Sequence, residues 1–170
     1  MSTVKTIAER AEEFFFKGML NGYLSDKKPD DHPTLFLWKQ LIYTDGEFTL
    51  DDSWHDRGGY TKILLEETVI WVMKYEGWYS TETGVIPLLK AALRKAYTQG
   101  EFNGGRGPEE LSHHNLTYQN RWVGRNRGKR RGFEKFRGAE GIYDFRRDPE
   151  EQCFGLHKYS GMLLIQRHLI

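Results

Sequence analysis

Glu47 to Gly77 reads Glu-Phe-Thr-Leu-Asp-Asp-Ser-Trp, then His-Asp-Arg-Gly, then Gly-Tyr-Thr-Lys-Ile-Leu-Leu-Glu-Glu-Thr-Val-Ile-Trp-Val-Met-Lys-Tyr-Glu-Gly. A degenerate copy runs from Asn115 to Gly161. Thr49 and Trp54 match Thr117 and Trp122. Gly59, Lys62 and Glu67 match Gly132, Lys135 and Glu140 at a second offset. Lys74, Tyr75 and Gly77 match Lys158, Tyr159 and Gly161. Three blocks in unchanged order indicate an internal duplication.

Local patterns around the copies give the elements. Ile7, Ala11, Phe14, Phe15, Met19 and Tyr23 recur at helical spacing and predict a helix over about 4–24. Ser2 or Thr3 is its expected cap, and Gly22 its expected end. Asp45-Gly46 is a hairpin signal between strands at about 36–43 and 47–54. In the second of these, Phe48, Leu50 and Asp52 point one way, and Thr49, Asp51 and Ser53 the other. Strands at 60–65 and 68–75 follow. Pro87 suits the first turn of a second helix, from about Val85 to before Gly100. Further strands are predicted at 115–122, 132–138, 140–147 and 153–159. The expected fold is α+β: a mainly antiparallel sheet of two similar four-strand halves, with an N-terminal and a central helix packed on it. A single domain over 1–170 contains both halves, at about 34–78 and 113–162, and their meeting line is a natural cleft.

Composition narrows the function. Ten Phe, nine Tyr and five Trp suit a sheet with large half-buried side chains. Cys153 is the one cysteine, which excludes an intrachain disulfide and a cysteine-rich zinc site. No apolar run approaches the roughly 18 residues of a membrane span, so a cytoplasmic protein without a membrane partner is expected. No metal or other cofactor is expected. The net charge of +1 conceals an asymmetry: residues 121–137 hold eight Arg or Lys and one Glu.

Two stretches are candidate anion sites. The second copy carries an insertion, Val123 to Arg131, between its Trp and its Gly. Arg125, Arg127, Lys129, Arg130 and Arg131 supply most of the basic cluster there. Guanidinium forks match phosphate, although a solvated loop that guards a sheet edge is the plain alternative. The loop Gly104-Gly105-Arg106-Gly107-Pro108 is the other, since consecutive glycines let backbone N–H groups converge on an anion. It also reads as a simple turn. Trp54, Tyr118 and Trp122 are the candidates for stacking a base, against ordinary sheet packing.

The spaced pattern Asp45-Gly46-x-Phe48, Asp52-Ser53-Trp54, Gly59, Leu64, Glu67-x-Val69-x-Trp71 and Tyr75-x-Gly77 resembles a bacterial family known only as a domain of unknown function. Phe102 to Pro108, Phe136-x-Gly138-x-Glu140-x-Ile142 and Tyr159-x-Gly161 resemble its second half, so the resemblance covers about 36–162. Some members follow a helix-turn-helix domain in transcriptional regulators, which implies a sensor or ligand-binding role. Leu65 stands where the family has Gly, and no helix-turn-helix pattern precedes the repeat here.

The leading expectation is a non-enzymatic binding or sensor domain for an anionic, phosphate-bearing small ligand such as a nucleotide signal. The alternatives are a nucleic-acid or protein-partner surface on the basic loop 121–137, including a host-directed inhibitor, and a small-molecule hydrolase using carboxylates. Asp52, Glu67 and Glu140 are the best carboxylates for the last. No residue is assigned a catalytic role.

Overall fold

The computed structural model describes residues 5–127 and 130–165, with the backbone alone for 125–127, 130 and 131. The first helix, α1, spans Ile7–Asn21, shorter at both ends than the expected 4–24. Thr6, rather than Ser2 or Thr3, caps it: Glu9 N donates to Thr6 Oγ1, and Thr6 N donates to Glu9 Oε2 at 2.8 Å. This reciprocal pair satisfies two amides that the first turn leaves unbonded. Gly22 ends the helix, as expected.

Five strands follow α1: β1 (Asp30–Asp31), β2 (Lys39–Asp45), β3 (Phe48–His55), β4 (Gly58–Leu65) and β5 (Thr68–Tyr79). Helix α2 spans Val85–Gln99 and ends on Gly100, in the left-handed region. The chain then forms β6 (Glu110–His113), β7 (Leu116–Arg127), β8 (Arg130–Tyr143) and β9 (Cys153–Leu163). Among the described residues, these nine strands form one sheet in the order β1-β2-β3-β4-β5-β9-β8-β7-β6, every neighbour antiparallel. The strands expected at 132–138 and 140–147 are one strand, β8. Gly138 does not break it, because Tyr159 packs over the space a side chain there would occupy. The short β6 went unforeseen.

Each half is a meander, and the two meet last strand to last strand. Tyr75 lies opposite Tyr159. Exchanging the two strands maps the pair Gly77–His157 onto Gly161–Met73, and both pairs are present. An approximate two-fold axis therefore passes between the tyrosines.

The middle block of the repeat needs a correction. Trp54 pairs with Gly59 and Trp122 with Gly138; Asp52 pairs with Thr61 and Asn120 with Glu140. Gly59 thus corresponds to Gly138 rather than Gly132, and Thr61 to Glu140. Fifteen residues separate Trp122 from Gly138 against four between Trp54 and Gly59, so the addition is a lengthened β7–β8 hairpin. The six-residue slip arose because Gly132 and Lys135 in the hairpin imitate the real equivalents.

Both helices pack on one face of the sheet. Gly18 lets α1 approach Leu50 closely, and Phe15 meets Tyr97 of α2 edge to face at 5.5 Å. Trp71 anchors the core beneath them. It stacks on Phe133 at 5.2 Å and on Phe136 at 5.8 Å, and its Nε1 donates to Phe133 O at 3.1 Å. Burying an aromatic side chain of this size stabilises by roughly 4–6 kcal/mol of transfer free energy. Among the described residues, no helix is long and apolar enough to cross a membrane.

Candidate functional site

Alternation along the strands decides which polar groups face the helices. In β3, Phe48, Leu50, Asp52 and Trp54 share the inward face, and Asp51 turns outward. In β5 the inward face carries Tyr75 and Tyr79, and in β9 His157 and Tyr159, by the pairings Tyr75–Tyr159 and Gly77–His157. The strand pattern therefore sinks an acid, an imidazole and several phenols into the layer under the helices.

There they bound a chamber of about 300 Å³. Its floor is Asp52, Tyr75, Tyr79 and His157. Trp54 and Tyr23 form one wall, their rings edge to face at 5.9 Å, and Ile86 and Leu89 of α2 form another. Arg106 reaches in from the glycine-rich loop, its guanidinium carbon 5.6 Å from the Tyr75 ring centre. Leu37, Lys39 and Asp56 stand at the exposed rim.

Asp52 is 2 % exposed. Its Oδ1 accepts from Thr61 Oγ1 at 2.8 Å and from Tyr75 Oη at 3.1 Å. Burial raises its pKa to about 6, against the lowering effect of those two hydrogen bonds and of Arg106. Burial, reinforced by Arg106, pushes His157 down to about 4, so the imidazole is neutral at pH 7. His157 Nδ1 stops 3.9 Å short of Glu140 Oε1. Among the described residues neither this nitrogen nor the Tyr79 hydroxyl makes a hydrogen bond of good geometry, and both lie close to Glu140.

Arg106 does not act as a free anion anchor. Its Nε donates to Glu140 Oε1 at 2.8 Å, and its Nη2 donates to the same oxygen. Tyr118 Oη donates to Glu140 Oε2 at 2.5 Å. Burial opposes the Glu140 charge, yet Arg106 and these hydrogen bonds outweigh it and hold the pKa below the ordinary range. Glu140 is a fixed counter-ion, and Glu67 lies exposed in the β4–β5 turn, so the three carboxylates named for hydrolysis do not share a pocket.

The glycine-rich loop is a buried plug rather than an open anion nest. Gly104, Gly105 and Gly107 are buried. Gly104 and Gly105 adopt φ of +68° and +72°, which side chains disfavour. Tyr97 Oη donates to Gly105 O at 2.7 Å, and Gly107 N donates to Tyr118 Oη at 2.9 Å. Asn120 Nδ2 donates to Asn103 O at 3.0 Å and to Gly107 O at 2.9 Å. Tyr118 is fully buried in this network and offers no face for stacking.

The approximate symmetry gives the plug its meaning. Asp52, Trp54 and Tyr75 correspond to Asn120, Trp122 and Tyr159. Tyr75 donates to Asp52 as Tyr159 donates to Asn120. In the second half the loop fills the space above this trio: a Cβ on Gly104 would lie 2.7 Å from Tyr159 Cε2 and 3.3 Å from Trp122 Cβ. In the first half no segment among the described residues does so, and the corresponding space is the chamber.

Of the residues singled out from the sequence, Trp54 and Arg106 meet in the chamber. Tyr118, Gly104 and Gly105 belong to the plug. Trp122 packs over Gly124 and Gly132 at the root of the long hairpin. Arg125, Arg127, Arg130 and Arg131 lie on its strands, with Arg127 paired to Arg130, and their side chains fall outside the described residues, as does all of Lys129. Arg121, Arg137 and Lys158 line a separate open depression of about 530 Å³ on the sheet face away from the helices. Tyr79 and His157 went unnoticed and Tyr23 was read only as part of the apolar face of the first helix, since only the fold brings them together. The inward place of Asp52 beside Leu50 was the available signal.

No curated protein and no solved structure matches the chain. A family model described as a domain of unknown function matches residues 52–163, from the floor of the chamber to the end of β9. The chain belongs to this family, DUF5680.

Proposed function

We propose that the protein is a non-enzymatic binding domain that holds a small organic ligand in the chamber between Asp52, Trp54, Tyr75 and the two helices. The observation that carries this reading is the unequal treatment of two equivalent places. The chain fills one with its own loop and leaves the other as a cavity bounded by aromatic rings. Its size is at the lower end of small-molecule sites, about 300 to 1,000 Å³.

A thermal-shift screen of a chemically diverse small-molecule library tests the reading, with Ile86→Trp as the blocked control. A ligand at 100 times its Kd adds about 2.7 kcal/mol to stability. Hits are expected to stabilise the wild type and lose most of that effect in the variant. A library without hits, or hits indifferent to Ile86→Trp, would overturn it.

A second reading concerns the open face. Arg121, Arg137 and Lys158 lie at the root of the long hairpin, beside the further arginines of its strands. This arrangement supports binding of a phosphate-bearing partner such as nucleic acid. Affinity for a single-stranded oligonucleotide should then fall steeply with salt, because bound counterions are released. Affinity unchanged between 50 and 200 mM salt would exclude it.

A further inference from the structure

The charges inside the chamber do not balance; at its rim Lys39 is paired with Asp31, and Asp56 adds a further acid. Arg106 is matched by Glu140. His157 is neutral. Asp52 remains, and beyond the two hydrogen bonds to Oδ1 its Oδ2 has no hydrogen bond to a described residue.

That charge is not needed for packing. At the equivalent position the second half has Asn120, which accepts from its tyrosine as Asp52 does from Tyr75. An amide would serve the first half equally well as an acceptor. The carboxylate is thus an addition, at a buried place where ionisation is costly.

The surroundings suit a cation. The rings of Tyr23, Trp54, Tyr75 and Tyr79 line the chamber around Asp52; Lys90 already lies 5.4 Å from the Tyr23 ring centre and Arg106 5.6 Å from that of Tyr75, so Trp54 is the main ring left for a ligand's charge. Aromatic faces are negative and attract positive charge, most strongly once water is removed. A phosphate there would meet Asp52 with Arg106 already paired.

Resting on the chamber reading above, we infer that the ligand is an organic cation, an alkylammonium or arylalkylammonium ion, whose positive charge sits against the Asp52 carboxylate among the tyrosine and tryptophan rings. Selectivity for it comes chiefly from Asp52, with a smaller part from the ring faces, since the ring walls accept neutral apolar groups as well.

The test compares three probes at pH 8 by calorimetric titration: benzyltrimethylammonium, its uncharged isostere neopentylbenzene, and phenyl phosphate. The cation should bind at least tenfold tighter than the isostere, with phenyl phosphate weakest. Asp52→Asn keeps Oδ1 for Thr61 and Tyr75, and should bring the cation to within about threefold of the isostere. If that variant does not fold, Trp54→Leu serves in its place, with several-fold weaker cation binding expected. Equal binding of cation and isostere, or tighter binding of phenyl phosphate, overturns the inference and leaves the chamber as the site. Failure of all three probes overturns it as well. The library screen then separates the cases, since chamber-dependent hits of another class keep the broader reading and their absence removes it.

Discussion

Tyr75 and Tyr159 face each other across the β5–β9 pairing, and each donates its hydroxyl to a residue two strands away: Tyr75 to Asp52, Tyr159 to Asn120. The pair marks the approximate axis of the molecule. It also marks where the halves diverge, since one partner is an acid beneath a cavity and the other an amide beneath a loop.

Asp52 and His157 should leave opposite marks on stability. The Asp52 pKa is about 6 in the fold against 3.8 in the unfolded chain. Its contribution is fully present below 3.8 and is lost as pH rises through 6, about 3 kcal/mol in all. His157 is near 4 in the fold against 6.5 unfolded. Its contribution is present above 6.5 and is lost as pH falls through 4, by a similar amount. The two nearly cancel between pH 4 and 6. Asp52→Asn should therefore raise stability at pH 8 by about 1–3 kcal/mol and expose the acid loss due to His157. Urea unfolding of both proteins at several pH values checks this.

The Arg106–Glu140 pair should show strong coupling. Removing one member leaves the other charged and buried, which costs about 3–5 kcal/mol. Glu140→Gln and Arg106→Met should each be that destabilising. The double variant should cost much less than their sum. Additive losses in a denaturation cycle would mean that the charges do not depend on each other.

Gly46 and Gly104 separate backbone strain from packing. Both have φ above +60°, but a Cβ on Gly46 meets nothing within 4 Å, whereas one on Gly104 meets Tyr159 and Trp122. Gly46→Ala should cost about 1–2 kcal/mol, the usual left-handed penalty. Gly104→Ala should cost about 1–3 kcal/mol more, because the added methyl must displace the Tyr159 ring and crowds Trp122 Cβ. Melting temperatures of the two variants decide it.

The sequence disclosed the outer blocks of the repeat, both helices and the Gly46 turn, because these rest on local spacing and on aromatic landmarks such as Trp54, Trp122, Tyr75 and Tyr159. The middle block misled, since Gly132 and Lys135 match a pattern that strand pairing assigns to Gly138 and its neighbours. The site was only partly legible. Arg106 and Trp54 were recognised, but not that Glu140, thirty-four positions later, neutralises the arginine. Such pairing depends on register between strands, which composition does not encode. Asp51-Asp52 was read correctly as two acids facing opposite ways, yet the enclosure of Asp52 appears only once α1, α2 and the loop after α2 are in place.

The most direct measurement follows the tyrosine and histidine side-chain signals by NMR, together with the backbone amides of the β7–β8 hairpin, while the strongest hit of the library screen is titrated in. The account predicts shifts at Tyr75, Tyr79 and His157, with the hairpin amides unmoved. Shifts confined to the hairpin, with those three side chains unchanged at saturation, would contradict it.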